Sequence, residues 1–215
     1  HDEGRAPEHG AQRTVDAPGI AGAFTEPTGD VGVDLAGRPD EVRRADLPEP
    51  QHALDQRLDG APFATEDILF YVEDILHSPD YYSGATPSQF TIDGKPMTAV
   101  AKDATTITFK FNKPNGLFLF DLSSPYGVPP VIWAKHYCKQ FHPKYNPNIA
   151  DLMKQYSQNS WVDLYNFRCG LREKQSRWYN PERPTMEPWT INEPYFGSAT
   201  RVSLQRNPYF WQVDT

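Results

Sequence analysis

Three sets of residues in this 215-residue chain could do chemistry. His136, Cys138 and His142 are residue types that ligate zinc, yet their spacing follows no structural zinc pattern and no fourth ligand suggests itself. Glu66, Asp67, Glu73 and Asp74 could serve as paired acid and base. The first two instead open a helix, where acids stabilise its dipole, and the second two fall on its exposed side. Trp133, Trp161, Trp178, Trp189 and Trp211 form the third set. An indole can stack on a sugar ring or cover a peptide side chain while its N–H keeps one polar contact. Most such rings are core residues. Trp189, preceded by Pro188 and followed by the "NEPYFGS" turn region, is the candidate for a ligand cleft, and Tyr126 in "SSPYGVPP" is a second candidate. No nucleophile elbow, phosphate loop or Ser/His/Asp arrangement of useful spacing is visible. Nothing here argues for catalysis, so the expectation is a protein that is not an enzyme, with no cofactor and no metal; the alternatives are a carbohydrate-active enzyme that uses the tryptophans as a platform and carboxylates as acid and base, and a non-functional product of a damaged reading frame.

The elements that must position these residues occupy the later three quarters of the chain. "TEDILFYVEDILHS" carries Ile68, Leu69, Val72, Ile75 and Leu76 at helical spacing, with Thr65 as the expected N-cap. Asp93-Gly94 marks a turn, and Ile107, Phe109 and Phe111 alternate with Thr106, Thr108 and Lys110 as a strand that ends at "KPNG". "LFLFDLSSPYG" is short enough to be strand or buried helix. "PPVIWAKHYCKQF" reads as a short helix after paired prolines. Ile149, Leu152, Met153 and Tyr156 make another helical face, which Trp161, Leu164 and Phe167 continue. "TRVSLQRN" reads as a returning strand with Val202 and Leu204 on one face. The order implies α and β mixed in one unit.

Residues 1–57 differ in kind. Of 28 aromatic residues only Phe24 lies there, and the first lysine is Lys95. A segment of Ala, Gly, Pro, Asp, Glu and Arg buries too little apolar surface to offset chain entropy, so the plain expectation is a disordered arm. The net charge of -7 and the lack of Lys/Arg clusters argue against nucleic acid or an anionic membrane as partner. No window has the length of apolar chain that spans a bilayer. The sequence opens on His1 without a basic, apolar leader, which leaves a removed signal peptide open. Cys138 and Cys169 could pair in an oxidising compartment or be two unrelated thiols.

Four phrases resemble the extracytoplasmic solute-binding proteins of family 5, the binding components of ABC importers. "DGAPFATEDI" (59–68) is similar to the family's Asp-Gly-x-Pro-Phe-Thr-Ala-Glu-Asp-Val. "TITFKFNKPNGLF" is similar to its Thr-x-Thr-Phe strand with Pro-Asn-x-Leu-Phe. "KHYCKQFHPKY" (135–145) and "QRNPYFWQVDT" (205–215) resemble two further family phrases in the right order. Ala64-Thr65 replaces the family's Thr-Ala, and Cys138 stands at a usually aliphatic position. The resemblance implies an α/β, periplasmic-binding-protein-like (type II) fold, here a first-lobe segment over 58–215 without the second lobe. It also implies a monomer outside the cytoplasmic membrane, periplasmic or membrane-associated, that captures peptides or oligosaccharides and passes them to ABC permease subunits. In the family the part of the chain around Trp189 passes back towards the lobe that meets the ligand.

The resemblance also implies strands within residues 1–57. Codons exist for "TEPTGDVGVDLAGRP" that, read one nucleotide later, spell the family-like Pro-Asn-Leu-Pro-Ala-Thr-Trp-Glu-Leu-Ile-Ser-Pro-Asp-Gly-Arg. "QHAL" as CAG CAT GCG CTG likewise yields Ser-Met-Arg-Trp. The second expectation for this segment is therefore N-terminal family strands translated out of frame up to about Leu54, with the frame restored before Asp59.

Overall fold

The main helix begins where the sequence places it, but its cap differs. The computed structural model describes residues 57–170, 176–195, 197–198 and 200–210, and the backbone of 23–25 and 31–34. Helix α1 spans Thr65–Phe70, and its N-cap is Ala64 rather than Thr65. Thr65 is engaged elsewhere: its hydroxyl donates to the Asp103 carbonyl at 2.8 Å and its N–H to the Ala104 carbonyl at 3.0 Å. Asp67, three residues into the helix, supplies the capping oxygen instead and accepts from the Ala64 N–H at 3.1 Å.

The chain then widens into a π-helix over Tyr71–Leu76. Five of these six residues, Asp74 among them, face the interior. The expectation that Asp74 lies on the exposed side is thus overturned, because the wider i→i+5 turn carries it inward; Glu73 alone is exposed. Asp74 is held by partners rather than by water. The Lys144 ammonium and the Tyr145 hydroxyl both donate to its carboxylate, the latter at 2.6 Å.

Strands β1 (Ala23–Thr25) and β2 (Val31–Asp34) lie within the segment for which the composition predicts a disordered arm. They pair antiparallel, and β2 pairs in turn with Thr106–Lys110, in the register Val31↔Phe109 to Asp34↔Thr106. For these seven residues the structure replaces the expected arm with strand; the rest of 1–56 lies outside the described residues. Two short strands, β3 (Thr91–Ile92) and β4 (Lys95–Pro96), form a hairpin at the Asp93-Gly94 turn, where both residues have positive φ. Strand β5 (Thr98–Ala101) then pairs with β6 (Thr106–Lys110), giving a four-stranded antiparallel sheet in the order β1-β2-β6-β5. Asp103 closes the β5–β6 turn by accepting from the N–H groups of Thr105 and Thr106, each at 2.8 Å. The alternation in β6 is as predicted: Ile107 and Phe109 are buried against α1 and the helices that follow.

The ambiguous run after "KPNG" is helix, α2 (Phe118–Ser123). The single helix predicted after the paired prolines is two pieces, α3 (Pro129–Ile132) and α4 (Lys135–Cys138), with the latter tightening into a 3-10 turn over Lys139–Phe141. Trp133 and Ala134 between them are extended. This break lets the Trp133 indole enter the core, where its N–H donates to the Cys169 carbonyl at 3.0 Å. Tyr71, Tyr81 and Tyr165 surround the same indole at centroid distances of 5.2–5.9 Å. Helices α5 (Ile149–Gln155) and α6 (Trp161–Arg168) are likewise separate, because Ser157 turns the chain with φ of 53° and Ser160 caps α6 by accepting from the Asp163 N–H at 3.0 Å. Helix α7 (Ser176–Tyr179) leads to a hairpin of β7 (Trp189–Ile191) and β8 (Leu204–Arg206). The predicted returning strand is present but shorter, and Val202 and Leu204 are exposed.

Candidate functional site

The metal-ligand reading of the first residue set has no geometric basis. His136 sits at the surface with Asp59, 2.7 Å away, whereas Cys138 and His142 are buried in different surroundings. Among the described residues no three His, Cys, Asp or Glu side chains converge. The carboxylates are equally committed. Asp67 is shut away with Arg57 at 3.2 Å and accepts from the Lys135 N–H at 2.7 Å. Glu66 pairs with Lys135 at 3.0 Å on the surface. Asp67 and Asp74 each serve their own cation and do not make an acid–base pair.

Trp133 is core, Trp161 and Trp178 are half-buried, and Trp211 lies outside the described residues. Trp189 stands apart with 53% of its surface exposed. It heads β7 opposite Arg206 and forms part of the wall of a cavity of about 220 Å³ between α7, the loop that precedes β7, and β8. Tyr126, 63% exposed, lines a different concavity with Ser88, Gln89 and Asp121. The two sequence candidates are therefore not brought together.

The loop that carries Trp189, "NPERPTMEPW", is held by polar side chains that the sequence reading passed over. Asn207 is fully buried. Its side-chain N–H groups donate to the carbonyls of Thr185 at 3.2 Å and Glu187 at 3.1 Å, and its backbone N–H donates to the Pro188 carbonyl at 2.8 Å. Asn180, also buried, donates to the Arg168 carbonyl at 2.6 Å and to the Tyr137 hydroxyl at 2.8 Å. Burial pushes the Tyr137 phenol up to about 12, so it stays protonated. The Leu58 N–H donates to the Thr185 carbonyl at 2.9 Å, which ties the loop to the segment before α1. Pro181, Pro184 and Pro188 fix φ and remove three backbone donors that such a loop would otherwise have to satisfy. Their close spacing, with a charged residue in each interval, is the signal that would have singled out this segment.

Glu187 connects two cations at the cavity. Its Oε1 is 3.1 Å from Arg177 and its Oε2 3.1 Å from Arg183. The arrangement presents an aromatic face beside guanidinium groups on a loop with little freedom to move. It has the features of a small-solute subsite: an apolar surface and a few fixed polar groups.

No protein-family model and no curated protein matches the sequence. Among solved structures, an oligopeptide-binding protein OppA superposes with a TM-score of 0.68 at 33% identity over 92% of this chain. The periplasmic binding protein MelB from Agrobacterium fabrum C58, in complex with stachyose, superposes with 0.52 at 21% identity over 89%. The chain spans 27% of the length of the first and 23% of the second. The fold is thus that of part of a periplasmic binding protein, mixed helix and sheet, as the four phrases imply. At 33% identity over 92% of its length the chain matches part of an oligopeptide-binding protein, in agreement with the resemblance to the solute-binding proteins of family 5, and it spans about a quarter of such a chain. Among the described residues no helix is long and apolar enough to cross a membrane.

Proposed function

We propose that this chain is part of the substrate-binding component of an ABC importer, which captures peptides, or alternatively oligosaccharides, outside the cytoplasmic membrane and delivers them to the permease. The observation that carries the reading is Trp189: a largely exposed indole on a loop pinned by Asn207 and three prolines, above a cavity with charged groups. Exposing a large aromatic face costs hydrophobic stabilisation unless a partner covers it, and a rigid loop reduces the entropy lost when one does. Peptide comes first because the similarity at 33% identity is to an oligopeptide-binding protein. In the whole protein the solute would be clamped as a second lobe closes about a hinge, and the closed form would dock on the permease. The binding step uses no cofactor and forms no covalent bond, and a monomer suffices. A carbohydrate-active enzyme that hydrolyses glycosides would need two carboxylates across one cleft; the cavity beside Trp189 has one, Glu187, already shared between two arginines.

The test is titration of the chain and its Trp189→Ala variant with a panel of short peptides and stachyose, followed by calorimetry. Loss of binding in the variant, with unchanged thermal stability, supports the reading; equal binding by both forms removes Trp189 from the solute site.

We propose further that residues 58–215 are the family domain and that residues up to about Leu54 are its N-terminal strands read out of frame. In support, β2 occupies the four positions, Val31–Asp34, at which the shifted reading has Trp-Glu-Leu-Ile.

A further inference from the structure

We infer that the cavity beside Trp189 is a carboxylate subsite, so that the solute presents a carboxylate to Arg177 and Arg183 and an apolar group to the indole. This rests on Trp189 being a solute contact and adds the charge that the solute must carry. Among the described residues, the ionisable groups lining the cavity are Arg177, Arg183 and Glu187. Two guanidiniums against one carboxylate leave one formal positive charge. Each guanidinium has five N–H donors, and Glu187 engages one nitrogen of each.

Arg183 is the more telling of the two. Its side chain is only 5% exposed, yet its Nε has no hydrogen-bond partner. A buried N–H without an acceptor costs about 1–3 kcal/mol; the Nε atoms of Arg57 and Arg168 are in the same state, and what sets Arg183 apart is its place on the cavity wall. A carboxylate entering the cavity supplies two acceptor oxygens in the geometry a guanidinium matches best. The exposed indole and the apolar side chains of Ile191 and Leu204 complete the wall. That wall favours a carboxylate borne on an organic body over a fully hydrated inorganic anion. The α-carboxylate of a peptide and the carboxylate of an acidic sugar share this chemistry; a neutral oligosaccharide lacks it.

The experiment is calorimetric titration of the 215-residue chain with four probes: the tripeptide Ala-Leu-Phe, its C-terminal amide, digalacturonate and stachyose. The expected result is that at least one acid binds, and binds about tenfold or more tighter than its neutral counterpart, as a charge-assisted hydrogen bond requires. Binding of the peptide acid alone assigns the α-carboxylate as the source, and binding of digalacturonate alone assigns a sugar acid. Arg177→Gln, at a half-exposed position, should abolish the preference for the acid, while Trp189→Ala should weaken acid and amide alike. Acid and amide bound equally, with both weakened by Trp189→Ala, would overturn the carboxylate subsite and leave the Trp189 reading intact. Absence of binding by every probe, or indifference of every probe to Trp189→Ala, would overturn both. Because the acid and amide are compared on the unaltered chain, the result does not depend on how Arg177→Gln folds.

Discussion

Nη2 of Arg57 lies 3.2 Å from Oδ2 of Asp67 in a space closed to solvent. The same guanidinium donates to the carbonyls of Ile132 at 3.4 Å and Trp133 at 3.3 Å, and it sits 5.4 Å from the centre of the Phe63 ring. Asp67 meanwhile caps α1 and receives the Lys135 N–H. One ion pair therefore joins the segment before α1, the main helix, and the break between α3 and α4. Removing one partner of a buried pair leaves the other charge uncompensated, at a cost of about 3–5 kcal/mol. Asp67→Ala should lose that much stability in urea unfolding, and Asp67→Asn less, since its side-chain oxygen still accepts one N–H. A loss below about 1 kcal/mol in Asp67→Ala, the range of exposed pairs, would show that the junction is held by something else.

His142 makes folding sensitive to acid. Its Nδ1 accepts from the Lys144 N–H at 3.2 Å, which leaves Nε2 to carry the proton donated to the Asp74 carbonyl at 3.3 Å. Only the neutral ring does both. Burial among Phe70, Tyr145, Trp161 and Tyr165 holds its pKa below the ordinary value, and Lys144 adds to this; the nearby Asp74 opposes it without reversing the direction. The unfolded chain takes up this proton near pH 6.5 and the folded chain only at lower pH. Between those values the unfolded state binds more protons, so the stability is fully present above about pH 6.5 and falls as the pH drops through the folded value. Urea midpoints measured from pH 7.5 to 5 should decline on the acid side, and His142→Gln should flatten that decline. A wild-type profile as flat as the variant's would rule the ring out as the titrating group.

Much of this architecture could be read from the sequence because it is periodic. The apolar spacing from Ile68 to Leu76 and the alternation from Thr106 to Lys110 are one-dimensional signatures of a buried helical face and a half-buried strand. What escaped has no period. Asp74 turns inward because the helix widens, and no pattern of hydrophobicity announces that. The loop below Trp189 is set by Asn207, a residue 20 positions away from Glu187 that bonds to backbone carbonyls. Such a contact follows from the fold and leaves no trace in local composition. Trp189 was legible as a candidate by its flanking residues, whereas Arg183 and Arg177 were not, since a charged residue in a loop ordinarily reads as solvated.

Gly127 packs where no side chain fits. A β-carbon there would lie 2.3 Å from the Asp121 carbonyl oxygen and 2.4 Å from the Leu122 Cα, both backbone atoms of α2. Gly127→Ala must push the Tyr126 turn away from the helix, and such overpacking typically costs about 1–3 kcal/mol. Gly116→Ala is the control, because nothing lies within 4 Å of its β-carbon position. Thermal unfolding should separate the two variants clearly. Equal melting temperatures would mean that the close approach at Gly127 is relieved without cost.

Cys138 and Cys169 are both buried, and both are free thiols. Burial pushes the Cys169 thiol well above its usual value, so the reactive thiolate is scarce. Native chain treated with N-ethylmaleimide should remain unlabelled over a time in which urea-unfolded chain takes up two equivalents. Peptide mapping without reductant should find both cysteines unlinked. Fast labelling of the native chain, or a Cys138–Cys169 linkage, would contradict the packing described.

The nucleotide sequence of the coding region tests the reading of residues 1–57. Strand β2 takes the edge of β6 with Val31 opposite Phe109 and Asp34 opposite Thr106. A family strand of Trp-Glu-Leu-Ile at these positions would place large apolar side chains at 31, 33 and 34; Val-Gly-Val-Asp places a glycine in the interior of the strand, which weakens it. If the reading is right, the frame one nucleotide later spells Trp-Glu-Leu-Ile-Ser-Pro-Asp-Gly across codons 31–38 and Met-Arg-Trp across codons 52–54. The chain built from that frame should then unfold at higher urea concentration, since β1 and β2 would bury aromatic surface that the present segment, with Phe24 alone, lacks. If those codons spell no such phrase, residues 1–57 are a genuine Ala-, Gly- and Pro-rich segment, and deleting the part before Ala23 should leave the unfolding midpoint unchanged.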